Sequence, residues 1–181
     1  MKNNFKICSK TVMDTTDPNI TFNKLGESNY YTNFIKNIKP IWKNDGSNFY
    51  KLEKIVSKIK KDMKNNDFDC IIGISGGVDS SYLTYFAKEI LNLRPLIYHV
   101  DAGWNTDQAV SNIEKIVDGL GLDLYTEVVN WEEIKDLQVA FLRSQVPHQD
   151  IPQDCAFFST LYQFARKNKI KYVITGGNFS S

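Results

Sequence analysis

Residues 68–91, FDCIIGISGGVDSSYLTYFAKEIL, decide the fold. Phe68 to Ile74 is a short apolar run with a β-branched bias, the pattern of a strand covered on both faces. Tyr82, Leu83, Phe86, Ala87, Ile90 and Leu91 then recur at helical spacing. Between them, Ser75-Gly76-Gly77-Val78-Asp79-Ser80 must carry the chain from the end of a strand to the start of a helix. Unpaired backbone N–H groups and the positive end of the helix dipole converge at such a junction, so an anion is its natural partner. Gly76 and Gly77 let the backbone approach that anion without a Cβ in the way, and the hydroxyls of Ser75 and Ser80 add donors. The loop reads as a pyrophosphate cradle, and the chain as one that handles ATP. Asp79 sits among phosphates only if a cation stands between them, which Mg²⁺ bridging its carboxylate and the pyrophosphate would provide. No Gly-Lys-Ser/Thr is present, so the lysine that serves the β- and γ-phosphates is missing and γ-phosphoryl transfer is disfavoured.

Outward from this junction the same alternation continues. Apolar runs predict strands at 68–74, 95–100, 124–129 and 171–175, and helical periodicity predicts helices at 80–92, 107–119, 131–143 and 155–168. Thr106 is the expected N-cap of the second of these helices, with Gly119 and Gly121 at its end. Alternating strand and helix implies an α/β fold, a Rossmann-like doubly wound parallel sheet with helices on both faces. An amphipathic helix at 48–64 precedes it, with Leu52, Ile55, Val56, Ile59 and Met63 as its apolar face and a run of lysines on the other. The first 46 residues form an irregular arm rich in Asn, Thr and Lys, which sets a boundary between 1–46 and a nucleotide-binding domain at 47–181.

In a sheet of this kind ligands gather beyond the carboxyl ends of the strands. After the first strand come Ile74 and the loop residues Ser75, Gly76, Gly77, Asp79 and Ser80. After the second come Val100 and Asp101, where a polar turn either meets the nucleotide or merely turns the chain. Thr175, Gly176 and Asn178 follow the fourth. Before the last helix, 147–154 (PHQDIPQD) carries many polar groups, and His148, Asp150, Gln153 and Asp154 are candidates to face a substrate. Asp154 reads equally as an N-cap and His148 as a surface histidine. His99, inside the second strand, reads as a packed residue rather than a base.

Composition narrows the rest. With 181 residues, 42% hydrophobic content and a formal charge of +1, the chain can bury a core and offers no broad basic surface for nucleic acid. No run of about 18 apolar residues and no signal-peptide core occur, so a cytoplasmic protein without a membrane partner is expected. Cys8, Cys70 and Cys155 form no CxxC pair, and the last two read as small core residues.

The loop resembles that of the PP-loop ATP pyrophosphatases, the superfamily of NAD, GMP and asparagine synthetases, with its adenine nucleotide alpha-hydrolase-like fold. That resemblance implies cleavage of ATP between the α- and β-phosphates to activate an oxygen as its adenylate. Thr175-Gly176-Gly177-Asn178 is similar to the Gly-Thr-Gly-Asn after the corresponding strand of NAD synthetases. The superfamily continues with a fifth strand and further helices, so the chain reads as truncated after its fourth.

The arm makes a closer match. VMDTTDPNITF at 12–22, then Gly26 and Asn29-Tyr30, together with DCIIGISGGVDSSYL, YHVDAGWNTDQAVSNI and DIPQDCAFFSTLY, resemble the N-acetyl sugar amidotransferases of lipopolysaccharide and surface-glycan biosynthesis. The resemblance implies an ATP- and Mg²⁺-dependent conversion of a sugar N-acetyl group to an acetamidino group, with Asp79 and Ser75 as catalytic residues. Ammonia would come from a separate glutaminase with a cyclase-like subunit, since no N-terminal cysteine or Cys-His-Glu set is present. Other outcomes within the same superfamily are a tRNA sulfurtransferase or a non-catalytic ATP-binding fragment. Family members carry two cysteine pairs in the arm, where this chain has Cys8, Thr11, Ser28 and Tyr31. One thiolate cannot hold a structural zinc, so no zinc site is expected and the arm must order itself by packing Ile20, Phe22, Tyr30, Tyr31 and Phe34 against the body, or stay partly mobile.

Overall fold

A computed structural model describes residues 5–42 and 45–177, in two compact units, 1–52 and 53–181. The first unit contains the short helix α1 (Asn29–Asn33), prolonged by a π-helical turn, Phe34–Ile38. Helix α2 (Phe49–Asp62) runs from the first unit into the second. The second unit continues with β1 (Cys70–Gly73), α3 (Val78–Tyr85) and its π-helical extension Phe86–Ile90, β2 (Pro95–Asp101), α4 (Asp107–Leu120), β3 (Asp123–Val128), α5 (Trp131–Arg143), α6 (Ile151–Lys167) and β4 (Val173–Ile174).

The four strands form one parallel sheet in the order β3-β2-β1-β4. Strand alternation sorts the side chains between its faces. Ile71, Leu96, Tyr98 and Val100 pack with Met63 after α2 and with Leu161, Ala165 and Ile170 in and after α6. Ile72 and Ile97, neighbours in register, are fully buried on the other face. Gly73 points to the α6 face, where a Cβ would lie 2.3 Å from Cζ of Phe157; its bare Cα admits that ring. At the far end of the sheet the buried Asp69 receives the Arg94 guanidinium at 2.7 and 3.2 Å and the Arg94 backbone N–H at 2.9 Å, tying the starts of β1 and β2 together.

Several element ends differ from the sequence reading. Helix α3 starts at Val78, two residues early, because Gly77 is its extended N-cap; its π-helical extension ends at Ile90, after which Asn92 turns out at φ +50°. Strand β4 has two ladder residues rather than five, since it lies at the sheet edge beside the short β1. Helix α6 starts at Ile151, with Pro152 in its first turn where a fixed φ favours initiation, and not at Cys155. Asp154 is therefore inside the helix rather than its N-cap, and Cys155 is exposed rather than in the core. In α2 the buried stripe is Val56 and Ile59, continued by Met63, whereas Ile55, about 100° round the helix from Val56, is exposed. One lysine of its basic run is not simply solvated: Lys60 donates to the Leu91 carbonyl at 2.9 Å, closing the end of the α3 extension. Thr106 caps α4 as expected, accepting from the Ala109 N–H, and Gly121 ends it in the left-handed region.

Of the five apolar residues expected to organise the first unit, Ile20, Phe22, Tyr31 and Phe34 are half-buried and Tyr30 is exposed. The described buried side chains of this unit are Cys8 and Ser28. Isolated antiparallel bridges join Ile7 to Asp14 and Phe22 to Ser28. The Cys8 Sγ accepts from the Ser28 N–H at 3.2 Å, and the Ser28 Oγ caps α1 by accepting from the Tyr31 N–H at 3.1 Å. Among the described residues, no group of three or more His, Cys, Asp or Glu could hold a metal, and no helix is long and apolar enough to cross a membrane.

Candidate functional site

The chain passes β1, β2 and β3 in one direction and then returns to place β4 on the other side of β1, so the order of strands reverses between β1 and β4. That is the crevice where an open parallel sheet receives its ligand. The loop after β1 and the loop after β4 meet there: the Cα of Gly176 faces the start of α3 so closely that a Cβ would lie 3.6 Å from the Asp79 carbonyl.

The loop after β1 is folded on itself. Ser80 Oγ accepts from the Ser75 N–H at 3.2 Å, stands 3.3 Å from Ser75 Oγ and contacts the Gly77 carbonyl at 3.2 Å. Gly76 holds φ +74° and is buried against α4, where a Cβ would lie 2.4 Å from the Ala109 carbonyl oxygen. Glycine is required there on both counts. Gly77 caps α3 with no side-chain hydrogen bond. Among the described residues nothing accepts from the N–H groups of Gly76, Gly77, Val78, Asp79 or Ser80. Five consecutive N–H groups without a partner thus stand at the positive end of the helix dipole, a place that favours an anion. The Asp79 carboxylate, in the first turn of α3, is exposed and has no hydrogen-bond or ion-pair partner among the described residues.

Two residues that the sequence did not single out as functional hold this loop. His99 is buried in β2, its Nδ1 3.0 Å from the Ile74 carbonyl and its Nε2 3.1 Å from Nδ2 of Asn105. A carbonyl only accepts, so the Nδ1–H donates to Ile74. The ring thereby joins the start of the loop after β1 to the loop after β2. Asn112 on α4 donates to the Gly76 carbonyl at 3.0 Å.

The other predicted residues fall into three groups. Val100 is buried in β2, and Asp101 accepts from the Gly103 N–H at 2.9 Å, stabilising a turn in which Gly103 sits at φ +81° under the Trp131 ring. Thr175 and Gly176 are exposed beyond β4, while Asn178 lies outside the described residues. His148, Asp150 and Asp154 are exposed and, with Pro147, Gln149 and Ile151, line a separate cavity of about 490 Å³ at the start of α6; Gln153 is half-buried. Because α6 runs back along the sheet into β4, its first turn lies toward the carboxyl ends of the strands, as does the loop after β1. No hydrogen bond links those side chains to the loop among the described residues.

The chain is similar to an NH3-dependent NAD synthetase from Campylobacter jejuni, solved in complex with the nitrate ion, at 19% identity and a TM-score of 0.48 over 71% of this chain and 56% of that one. It is similar to an NMN synthetase from Francisella tularensis at 19% identity and a TM-score of 0.44, over 66% of this chain and 50% of that one. A tRNA thiolase from Methanococcus maripaludis matches at 17% identity and a TM-score of 0.45, over 70% and 46% of the respective chains. The chain thus spans about half the length of these structures. No curated protein matches it. The family model described as NAD synthase matches residues 51–179, well over half of the chain, and the chain accordingly belongs to the NAD synthase family of the PP-loop ATP pyrophosphatases.

Proposed function

We propose that this chain is the ATP-binding part of an amidotransferase that converts a sugar N-acetyl group into an acetamidino group. The reading rests on one observation above others: the five unbonded N–H groups from Gly76 to Ser80 at the head of α3. They suit a pyrophosphate, and with it a reaction in which pyrophosphate departs. The amide oxygen of the acetamido group attacks the α-phosphate of ATP, the bond to the bridging oxygen breaks, and pyrophosphate leaves on those donors. Ammonia then adds to the O-adenylyl imidate carbon, AMP leaves with the former amide oxygen, and one proton is released to give the amidine.

Within this scheme the chain's own residues bind and orient. The backbone from Gly76 to Ser80 and the hydroxyls of Ser75 and Ser80 hold the phosphates, opposing the charge that develops on the leaving group. Thr175 and Gly176, beside Asp79, border the same crevice from β4. Asp79 suits one coordination position of Mg²⁺, which keeps several waters and needs few protein carboxylates. When bound, that ion supplies further charge neutralisation to the pyrophosphate. The cavity at His148, Asp150 and Asp154 is the place for the sugar.

The sugar assignment is supported by the resemblance of the arm, the 98–113 segment and the 150–162 segment to N-acetyl sugar amidotransferases. A separate glutaminase with a cyclase-like subunit supplies the ammonia. The test is AMP release by the full chain from Mg·ATP with ammonium, with and without nucleotide-linked N-acetyl sugars. Release that depends on such a sugar supports the reading. ATP binding with no AMP under any sugar overturns it in favour of a nucleotide-binding module.

A further inference from the structure

A Gly-Gly sequence leaves the peptide plane between its residues nearly free to flip, because both flanking dihedrals lack the restraint of a Cβ. In the phosphate loop that plane carries the Gly76 carbonyl on one side and the Gly77 N–H on the other. A flip would turn a carbonyl dipole toward the phosphates and remove a donor. Something must therefore fix the plane, and the loop's own hydroxyls do not: Ser80 Oγ contacts the Ser75 N–H and the Gly77 carbonyl, not the Gly76 carbonyl.

Asn112 does so from outside the loop. Its Nδ2 donates to the Gly76 carbonyl at 3.0 Å, and its Oδ1 in turn accepts from Nε2 of Gln108 at 2.7 Å, one helical turn earlier on α4. The Gly76 carbonyl only accepts, so it takes Nδ2 and leaves Oδ1 to accept from Gln108. Ala109, between them on α4, packs against Gly76 where a side chain would not fit, which brings α4 close enough for the contact. We infer that Asn112 is a positioning residue of the phosphate site: by holding the Gly76 carbonyl it directs the Gly77 N–H toward the bound pyrophosphate. This rests on the phosphate-site reading above and adds to it a control exerted from α4.

The experiment titrates the full chain with inorganic pyrophosphate and with Mg·ATP by calorimetry, and follows the Gly77 amide by ¹⁵N–¹H NMR during the pyrophosphate titration. Asn112→Asp keeps the side-chain shape but replaces the donor with a charged acceptor, and Asn112→Ala removes the donor. Losing one oriented hydrogen bond predicts a rise of about tenfold in the dissociation constants for Asn112→Ala, and more for Asn112→Asp. The Gly77 amide shift on pyrophosphate addition should shrink in both. Parental affinity in both variants, or a lowered thermal midpoint with affinity and the Gly77 shift unchanged, overturns the inference and leaves the phosphate site standing. If the parent itself binds neither ligand, the phosphate-site reading fails and the inference falls with it.

Discussion

Nδ1 of His99 lies 3.0 Å from the carbonyl oxygen of Ile74, the last residue before the phosphate loop, and the opposite ring nitrogen takes the Asn105 amide. A histidine so held has both ring nitrogens engaged by the protein's own groups. Its replacement by Phe keeps the aromatic volume but leaves the Ile74 carbonyl buried without a partner, at a cost of about 1–3 kcal/mol. His99→Phe should lower the urea midpoint by that amount and also weaken Mg·ATP binding. Asn105→Ala, which frees only the Nε2 side, should do less to stability.

The paired glycines of the loop are predicted to fail differently. At Gly76, alanine meets both a left-handed backbone and the Ala109 carbonyl 2.4 Å from the new Cβ, so Gly76→Ala should cost about 2–4 kcal/mol and disturb α4 as well. At Gly77 the φ of −80° suits any residue and the nearest atom to a new Cβ is the Ser75 Oγ at 3.4 Å. Gly77→Ala should change stability by less than about 1 kcal/mol, yet reduce pyrophosphate affinity by crowding the loop. Chemical denaturation and calorimetry on the two variants separate these effects.

Much of this site was legible because it is local. A strand, two glycines, flanking serines and a helix lie within 24 consecutive residues, and Thr106 announces α4 by its own side chain. What sequence could not reveal is contact at a distance. Asn112 is 36 residues from Gly76, on an amphipathic helix where a polar residue reads as solvated, and His99 faces Ile74 only because β2 pairs with β1. The start of α6 was missed for a different reason. Pro152 carries the initiation signal, but the many polar groups of 147–154 mask it, and within the longer helix Cys155 falls on an exposed position.

Asp69 offers a test of the sheet's opposite end. Its carboxylate is buried and holds both the Arg94 guanidinium and the Arg94 backbone N–H, while the Arg94 side chain is about half exposed. On losing Asp69 the guanidinium can rehydrate, so Asp69→Ala should cost about 2 kcal/mol rather than the ~3–5 kcal/mol of a wholly buried pair. Pyrophosphate affinity should stay at the parental value, because this ion pair lies at the amino ends of the strands and the phosphate loop at their carboxyl ends. Denaturant titration and calorimetry on the same preparation check both halves.

The arm carries the last prediction. Burial pushes the Cys8 thiol up, but contacts with the Ser28 and Thr11 hydroxyls and the N–H groups of Lys10 and Ser28 outweigh it and bring the thiol down to about 6. Cys70, in the core, is pushed the other way, to about 12, mainly by burial. At neutral pH Cys8 should therefore be a thiolate and Cys70 a thiol. An unfolded cysteine titrates near 8.5, so the folded state binds this proton less readily. The stability it contributes is fully present above that value and is lost as pH falls through about 6. A thiolate absorbance difference between the parent and Cys8→Ser should titrate with a midpoint near 6, and Ser28→Ala should move that midpoint upward. A midpoint at or above the ordinary cysteine value in the parent would mean that the hydrogen bonds around Cys8 do not hold in solution.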